Sequence, residues 1–198
     1  MLEILKVKKN NLKEIIKIAA EFIKAGKIIV FPTDTVYGLI CDATNKKAVA
    51  KLFRIKKRDK KKPLPIFVKD IKMAKKIAKI DKKQEKFLES VWPGKVTAVL
   101  ERKKMKKNIY GVDKRTIALR IPKYGLLLSL AKQLNRPFTG TSANISGGLA
   151  STKIQEVVNQ FKGQRYQPDL IIDGGSLNFS KPSTVVDITN KNPKIIRK

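Results

Sequence analysis

The segment "KIIVFPTDTVYGLICDA", residues 27–43, is the part of the chain that most directly indicates the fold class. Its apolar run, residues 28–31, predicts a buried β-strand, and the strand ends abruptly at Pro32. Two hydroxyls and a carboxylate follow at once, in Thr33, Asp34 and Thr35. In open α/β sheets ligands bind beyond the strand ends, so this polar cluster is a candidate site. An ordinary turn explains the same residues, because Pro fixes φ while Asp and Thr side chains satisfy nearby backbone groups.

The rest of the chain alternates between strand and helix patterns without a regular βαβ period. Helices are predicted at 11–26, 45–58, 124–135 and 152–161, and two more are predicted to begin at Asp70 and at Asp81. An Asn opens the first helix and Gly26 closes it, and Asn45 caps the second. Thr152 and Gln155 have capping-box spacing at the start of the last helix. Strands are predicted at 2–7, 27–31, 63–68, 95–101, 116–122, 137–141, 169–175, 183–189 and 194–197. The later strands cluster, so we expect an α/β fold with a mixed sheet, in one domain over residues 1–198.

The composition is strongly basic. The chain has 198 residues with 45 Lys and Arg against 16 Asp and Glu, a formal net charge of +29. A positive field of this size attracts phosphate, as nucleotide or as nucleic acid. Most of the excess is lysine rather than arginine, which fits a solvated surface as well as it fits a dedicated RNA surface.

The same composition excludes several classes of chemistry. The chain contains no histidine and a single cysteine, Cys41, which removes Ser-His and Cys-His dyads and the usual zinc sites. One cysteine also excludes an internal disulfide and is consistent with a reducing cytoplasm. No P-loop and no G-x-G-x-x-G fingerprint is present, and neither a signal peptide nor a membrane span is predicted.

Three further polar elements stand at predicted strand edges. The run "RIKKRDKKKPL", 54–64, brings cations to the end of a helix, where they offset its partial negative charge. The segment "TSANISGG", 141–148, offers hydroxyls, an amide and glycines that allow a ligand close to the backbone. "KPSTVVD" places Ser183 and Thr184 at the entry of a strand. Each is explained singly as a charged face or a polar loop, but together with 32–35 they resemble one composite pocket.

The order of these motifs resembles the threonylcarbamoyl-AMP synthases, the YrdC-like family. "FPTDTVYGL", Lys56 and Arg58, "VWPGKVTAVL", "IALRIP", "TSANISG" and "STVVD" follow one another as in that family, from about residue 10 to 197. The chain resembles the short form, without the extra C-terminal domain of longer members. The resemblance implies a twisted α/β domain with a basic concave cavity.

It also implies a reaction. ATP, L-threonine and bicarbonate give L-threonylcarbamoyl-AMP and pyrophosphate, and a downstream transferase complex passes the threonylcarbamoyl group to adenosine 37 of tRNAs that read codons beginning with A. Mg²⁺ arrives with ATP and no protein-bound metal is expected. Threonine's carbamate attacks the α-phosphate, so catalysis rests on positioning and charge stabilisation without a covalent nucleophile.

The resemblance assigns residues to each substrate. The family's tetrad around the triphosphate matches Lys56, Arg58, Ser142 and Asn144, and the further ATP contacts match Lys60, Thr116, Ala150 (through its backbone) and Arg197. The threonine side matches Thr33, Arg120, Gly140 and Ser183. Phe67 stands where many members carry a histidine near the amino acid.

Two alternatives remain beside the synthase. The first is a non-catalytic module whose basic cavity binds tRNA or double-stranded RNA. The second is the related carbamoyl-transfer domain of hydrogenase maturation proteins, which lies inside much larger chains.

Overall fold

The computed structural model describes residues 3–105, 108–178, 180–190 and 192–198. Its helices are α1 (Leu12–Lys24), α2 (Lys46–Lys56), α3 (Ile71–Ile77), α4 (Lys82–Val91), α5 (Gly125–Leu134) and α6 (Ile154–Phe161). Its strands are β1 (Glu3–Lys6), β2 (Ile29–Phe31), β3 (Gly38–Ile40), β4 (Ile66–Phe67), β5 (Val96–Glu101), β6 (Thr116–Arg120), β7 (Phe138–Thr139), β8 (Thr141–Ser142), β9 (Leu170–Asp173), β10 (Thr184–Asp187) and β11 (Lys194–Arg197). The predicted α/β class with mixed strand pairing is confirmed. The pairings divide the strands between two sheets.

The first sheet has five strands in the order β1-β9-β2-β3-β8 and is covered by helices on both faces. Ile29 and Phe31 of β2 pack with α1 and α5, whereas Ile28 and Val30 pack on the opposite face with α2 and α6. Side chains alternate along a strand, so a strand covered on both faces must be apolar at every position. This is why residues 28–31 form an unbroken apolar run.

The second sheet has six strands in the order β11-β10-β5-β6-β4-β7, and α3 and α4 cover one of its faces. Ala98 and Leu100 of β5, with Ile117 and Leu119 of β6, pack against α3 and α4. The opposite face carries the intervening residues of the same strands and faces the strand ends of the five-stranded sheet. The space between that face and those ends is the candidate site.

The predicted strand at 137–141 is two strands that belong to different sheets. β7 pairs with β4 in the six-stranded sheet, while β8 pairs with β3 in the five-stranded sheet, and Gly140 lies between them. A Cβ atom on Gly140 would lie 2.7 Å from the Phe67 ring. The chain changes sheets where only a residue without a side chain fits, which strand propensity alone does not reveal.

Most predicted helix starts are confirmed, and one cap was predicted wrongly. Asn45, Asp70 and Asp81 each accept a hydrogen bond from the backbone N–H three residues later, as helix N-caps do. Helix α6 has no capping box at Thr152. Instead the Ser151 hydroxyl accepts from the Lys153 N–H at 2.9 Å and donates to the Glu156 carboxylate at 2.6 Å. Residues 106 and 107, between the predicted strands at 95–101 and 116–122, lie outside the described residues.

Within the described ranges, no helix is both long and apolar enough to cross a membrane.

Candidate active site

A cavity of about 380 Å³ lies between the two sheets, within the usual size range of small-molecule sites. It is lined by the loop after β2 and the start of β3 (Thr33, Thr35, Val36, Tyr37, Gly38), by the loop before β4 and β4 itself (Arg58, Pro63, Pro65, Phe67), by β5, β6 and their neighbours (Thr97, Val99, Ala118, Arg120), by the crossing segment (Gly140, Thr141, Ser142) and by the C-terminal strands (Pro182, Ser183, Val185, Ile196, Arg197). All four polar elements predicted at strand edges therefore meet in one cavity.

Strand alternation decides which residues of the six-stranded sheet reach the cavity. Along β6, Ala118 and Arg120 face the cavity while Leu119 is in the core, and along β5, Thr97 faces the cavity. The Thr97 hydroxyl lies 2.8 Å from that of Ser183, which joins β5 to the entry of β10. Sequence reasoning did not single out Thr97, although its period-two placement opposite the core residues was a usable signal.

The loop after β2 is held rigidly by its own hydroxyls. Thr33 Oγ donates to the Val36 carbonyl at 2.7 Å and accepts from the Thr35 N–H at 3.0 Å. The two threonine hydroxyl oxygens lie 3.1 Å apart, and both residues are buried. The segment is therefore a tight turn, and it also forms part of the cavity wall.

Arg120 is held in a buried ion pair that ties the two sheets together. Its Nη2 lies 2.7 Å from Asp34 Oδ1, its Nε donates to the Gly94 carbonyl at 2.8 Å, and the other Asp34 oxygen accepts from the Lys123 N–H at 2.9 Å. The guanidinium carbon lies 5.8 Å from the centroid of the Phe67 ring. Burial lowers the pKa of Arg120, and the Asp34 carboxylate opposes that shift. Sequence reasoning noted Asp34 in the polar cluster but did not predict its role in orienting Arg120.

Arg58 and Arg197 bring two further positive charges to the same cavity. Arg58 donates to the backbone carbonyls of Lys62 and Pro63, at 3.1 and 2.9 Å, and Arg197 donates to that of Ser183 at 2.9 Å. Among the described residues, neither guanidinium lies within 4.0 Å of a carboxylate. Burial, and then the Arg197 cation, lower the pKa of Arg58. Two anchored and uncompensated guanidinium groups make this end of the cavity a place for an anion.

Lys56 lies behind the cavity wall and does not line the cavity. Its Nζ donates to the Ser142 and Asn144 carbonyls and to Asn144 Oδ1, at 2.6, 2.9 and 3.0 Å. Ser142 Oγ donates to the same Asn144 Oδ1 at 2.6 Å. Burial, reinforced by the Arg58 cation, lowers the pKa of Lys56 to about 7. Three of the four tetrad residues therefore form one hydrogen-bonded unit, and Arg58 lines the same cavity as Ser142.

The predicted site residues divide into three groups by their distance from the cavity. Thr33, Arg58, Arg120, Gly140, Ser142, Ser183 and Arg197 line it. Lys56 and Asn144 form the layer behind it. Lys60, Thr116 and Ala150 do not line it: Lys60 is exposed on the loop after α2, Thr116 begins β6 at the end remote from Arg120, and Ala150 lies in the loop before α6. Phe67 lines the cavity beside Gly140 and Arg120.

Comparison with known proteins covers nearly the whole chain. A family model, Sua5/YciO/YrdC, described as "Telomere recombination", matches residues 21–198. A threonylcarbamoyl-AMP synthase of Pyrococcus abyssi is 36% identical over 183 residues, which are 92% of this chain and 53% of that relative. A protein of Methanocaldococcus jannaschii named as a putative threonylcarbamoyl-AMP synthase is 34% identical over 196 residues, covering 99% of this chain and 90% of the relative.

Solved structures agree in fold. The crystal structure of P. abyssi Sua5 complexed with L-threonine superimposes with a TM-score of 0.85 at 33% identity, covering 100% of this chain and 57% of that one. Escherichia coli YciO superimposes with a TM-score of 0.87 at 26% identity, covering 100% of this chain and 96% of that one. The chain thus spans little more than half of the P. abyssi protein and nearly all of the E. coli one.

Proposed function

The chain belongs to the Sua5/YciO/YrdC family, and we propose that it is an L-threonylcarbamoyladenylate synthase. In this proposal it is a nucleotidyltransferase that converts ATP, L-threonine and bicarbonate into L-threonylcarbamoyl-AMP and pyrophosphate. Relatives that bear this name, and the related structure with bound L-threonine, support the substrate class. The product would supply the threonylcarbamoyl group for adenosine 37 of tRNAs reading codons that begin with A, through a separate transferase complex, in the cytoplasm.

The observation that carries the proposal is the charge of the cavity wall. Three arginines line it, none of its described lining residues is acidic, and Asp34 just behind the wall pairs with Arg120 alone. Two substrates of the proposed reaction, ATP and bicarbonate, are anions, and the third carries a carboxylate. Arginine suits all three because its planar fork donates to phosphate or carboxylate in pairs of hydrogen bonds.

The proposed chemistry requires no protein nucleophile. The amine of threonine combines with bicarbonate to form a carbamate, with loss of water. A carbamate oxygen then forms a bond to the α-phosphorus of ATP while the bond to the bridging oxygen breaks and pyrophosphate leaves. The chain's part is to hold these anions together against their mutual repulsion, which Arg58, Arg120 and Arg197 are placed to do. Mg²⁺ would arrive on the triphosphate, and within the described ranges no cluster of three Cys, Asp or Glu stands ready to hold a metal by itself.

In the tetrad, Lys56 would act through its neighbours. Ser142 can donate to a phosphate oxygen only by releasing Asn144 Oδ1, since its single hydroxyl proton is committed there at 2.6 Å. Lys56 also donates to that amide oxygen, so the oxygen remains satisfied when Ser142 turns away. This gives the buried lysine a positioning role and leaves direct phosphate contact to Ser142 and Arg58.

Pyrophosphate release from ATP tests the proposal, with threonine and bicarbonate omitted in turn. We expect release to require both, to need no tRNA, and to yield an acid-labile adduct that contains threonine and adenylate. Strict dependence on tRNA, or turnover unchanged without threonine, would contradict it. Arg197→Ala is expected to raise the ATP dissociation constant with little change in melting temperature, and a chain that lacks only Lys198 serves as its control.

The net charge of +29 supports a second candidate, an RNA-binding module without catalysis. Binding of tRNA with no ATP turnover under any substrate combination would favour it.

A further inference from the structure

A second concave surface lies outside the cavity, where α2 ends and where the chain leads from α6 to β9. It has a volume of about 390 Å³ and is lined by Arg54, Ile55, Lys57, Gln164, Arg165 and Tyr166. Among the described residues, none lines both this surface, which we call the outer groove, and the cavity between the sheets. Three of the six lining residues are cations and none is acidic.

The end of α2 sends three successive cations to three different places. Lys56 is buried behind the cavity wall, Arg58 lines the cavity, and Lys57 lines the outer groove. Lys57 has a φ of 48°, in the left-handed region where helix ends usually carry glycine. Lys57 therefore supplies a charge to the outer groove without taking part in the cavity, and a glycine can replace it without strain.

Tyr166 holds the two arginines of the outer groove in place. The guanidinium carbons of Arg54 and Arg165 lie over its ring, at 5.7 and 5.5 Å from the ring centroid. The ring itself is half-buried and packs against the core beneath α2 and α6. A guanidinium that is already restrained by an aromatic ring loses less side-chain freedom when it binds a ligand.

The charges of the outer groove are not neutralised by the protein. Within the described ranges, no carboxylate lies within 4.0 Å of Arg54, Lys57 or Arg165. The groove thus offers three cations for an anion, and the arginines and the tyrosine offer flat surfaces on which a nucleobase can stack. Phosphates alternate with accessible base faces along a single strand of nucleic acid. In a duplex the base faces are covered, and an acidic peptide has none.

From this arrangement we infer that the outer groove binds single-stranded nucleic acid. Lys57, Arg54 and Arg165 contact phosphates, and an unpaired base stacks on the surface formed by the arginines and Tyr166. The net charge of +29 adds a long-range attraction for such a strand. The inference does not rest on the proposed function, because the outer groove is separate from the cavity.

Fluorescence anisotropy of a short labelled RNA strand with the whole chain tests the inference, from about 50 to 200 mM salt. Three phosphate contacts predict that the logarithm of the binding constant falls with the logarithm of the salt concentration with a slope of about −2. Arg54→Gln should weaken binding about fivefold to a hundredfold, the range for losing one stacked base, and should make the slope shallower by about 0.7. Lys57→Gly should make the slope shallower by the same amount without lowering the melting temperature.

Lys132→Gln is the matched control for Arg54→Gln. Lys132 is also an exposed cation in the last turn of a helix, but α5 packs on the other face of the five-stranded sheet. Its replacement should leave the affinity and the salt slope nearly unchanged. Circular dichroism of each variant shows whether it folds, and Arg165→Gln takes the place of Arg54→Gln if α2 is disturbed.

The choice of ligand separates a stacked strand from a general attraction to anions. The same strand annealed to its complement has more charge but no free base faces, so it should bind more weakly to the outer groove. A duplex or an oligo-aspartate peptide that binds as tightly as the single strand would overturn the inference. So would the absence of RNA binding, or an unchanged RNA affinity in the folded Arg54→Gln and Lys57→Gly variants.

Pyrophosphate release distinguishes this inference from the proposed function. The outer-groove variants should release pyrophosphate from ATP as the unaltered chain does, because none of these residues lines the cavity. Loss of RNA binding with intact release supports the inference, whereas a parallel loss of both activities would place the RNA in the cavity and overturn it.

Discussion

Replacing Asp34 with asparagine should destabilise the protein strongly, because it leaves the buried guanidinium of Arg120 without its counter-charge. The pair is 2.7 Å apart, and its side chains are only 4% and 7% exposed. Removing one partner of a buried ion pair costs about 3–5 kcal/mol. An asparagine oxygen can still accept one of the two hydrogen bonds from Arg120 and the Lys123 N–H, which favours the lower end of that range. For a chain of this length, about 2–4 °C of melting temperature accompanies each kcal/mol, so a loss of about 3–4 kcal/mol should lower the melting temperature by roughly 6–16 °C.

The assay is urea unfolding followed by far-ultraviolet circular dichroism, with Glu101→Gln as the matched control. Glu101 pairs with Lys79 at 2.5 Å, but those side chains are 54% and 60% exposed. An exposed pair contributes about 0–1 kcal/mol, so the same chemical change should have little effect there. Comparable losses in the two variants would refute the view that Asp34 compensates a buried charge.

Three further predictions concern the cavity and the residues behind it. The pKa of Lys56 falls from 10.5 to about 7 on folding, so between those pH values the unfolded chain holds one proton more than the folded chain. The free energy of unfolding of the unaltered chain should therefore rise relative to that of Lys56→Met from pH 7 to pH 10. A difference between the two chains that stays constant with pH in urea unfolding would contradict this. Arg58→Ala should raise the ATP dissociation constant about tenfold to a hundredfold in calorimetric titration. Lys61 is an exposed cation on the same loop, and Lys61→Ala should leave that constant unchanged. Equal losses of ATP affinity in the two variants would mean that the basic run 54–64 is only a charged face. Gly140→Ala should lower the free energy of unfolding by about 1–3 kcal/mol, because its Cβ would lie 2.7 Å from the Phe67 ring. Adding Phe67→Leu to that variant should recover part of the loss, as measured by thermal unfolding.

The sequence was sufficient to determine most of the helices and strands. Apolar periodicity located α1 and α2, and the acceptor side chains of Asn45, Asp70 and Asp81 marked helix starts that the structure confirms. These signals are local, since a cap or an amphipathic stripe depends on residues within one or two turns. The order of the motifs likewise predicted the family, because each motif is a short stretch of sequence that can be recognised without the tertiary structure.

Local signals failed in two places, and in the first of them distant partner strands decide the structure. Residues 137–141 have the propensity of one strand, yet they divide at Gly140 because β7 and β8 pair with strands of different sheets. Residues 152–155 have capping-box spacing, but the N-cap position is Lys153, which makes no side-chain cap, and Ser151 bonds to the Glu156 carboxylate instead. In both places, backbone hydrogen bonds or side-chain contacts formed in the folded chain outweigh a weak local preference.

The chain by itself determined which chemical groups are present: abundant cations, hydroxyls beside strand ends, and no histidine. Only the tertiary structure decided what each group does. It placed Lys56 behind the cavity wall, where its ammonium group contacts three oxygens, and it paired Arg120 with Asp34. The physical reason is that residue type sets the charge and hydrogen-bonding capacity of a group. Burial and the nearest partner determine how much of that capacity remains for a ligand, and for Lys56 that partner, Asn144, is 88 residues away in sequence.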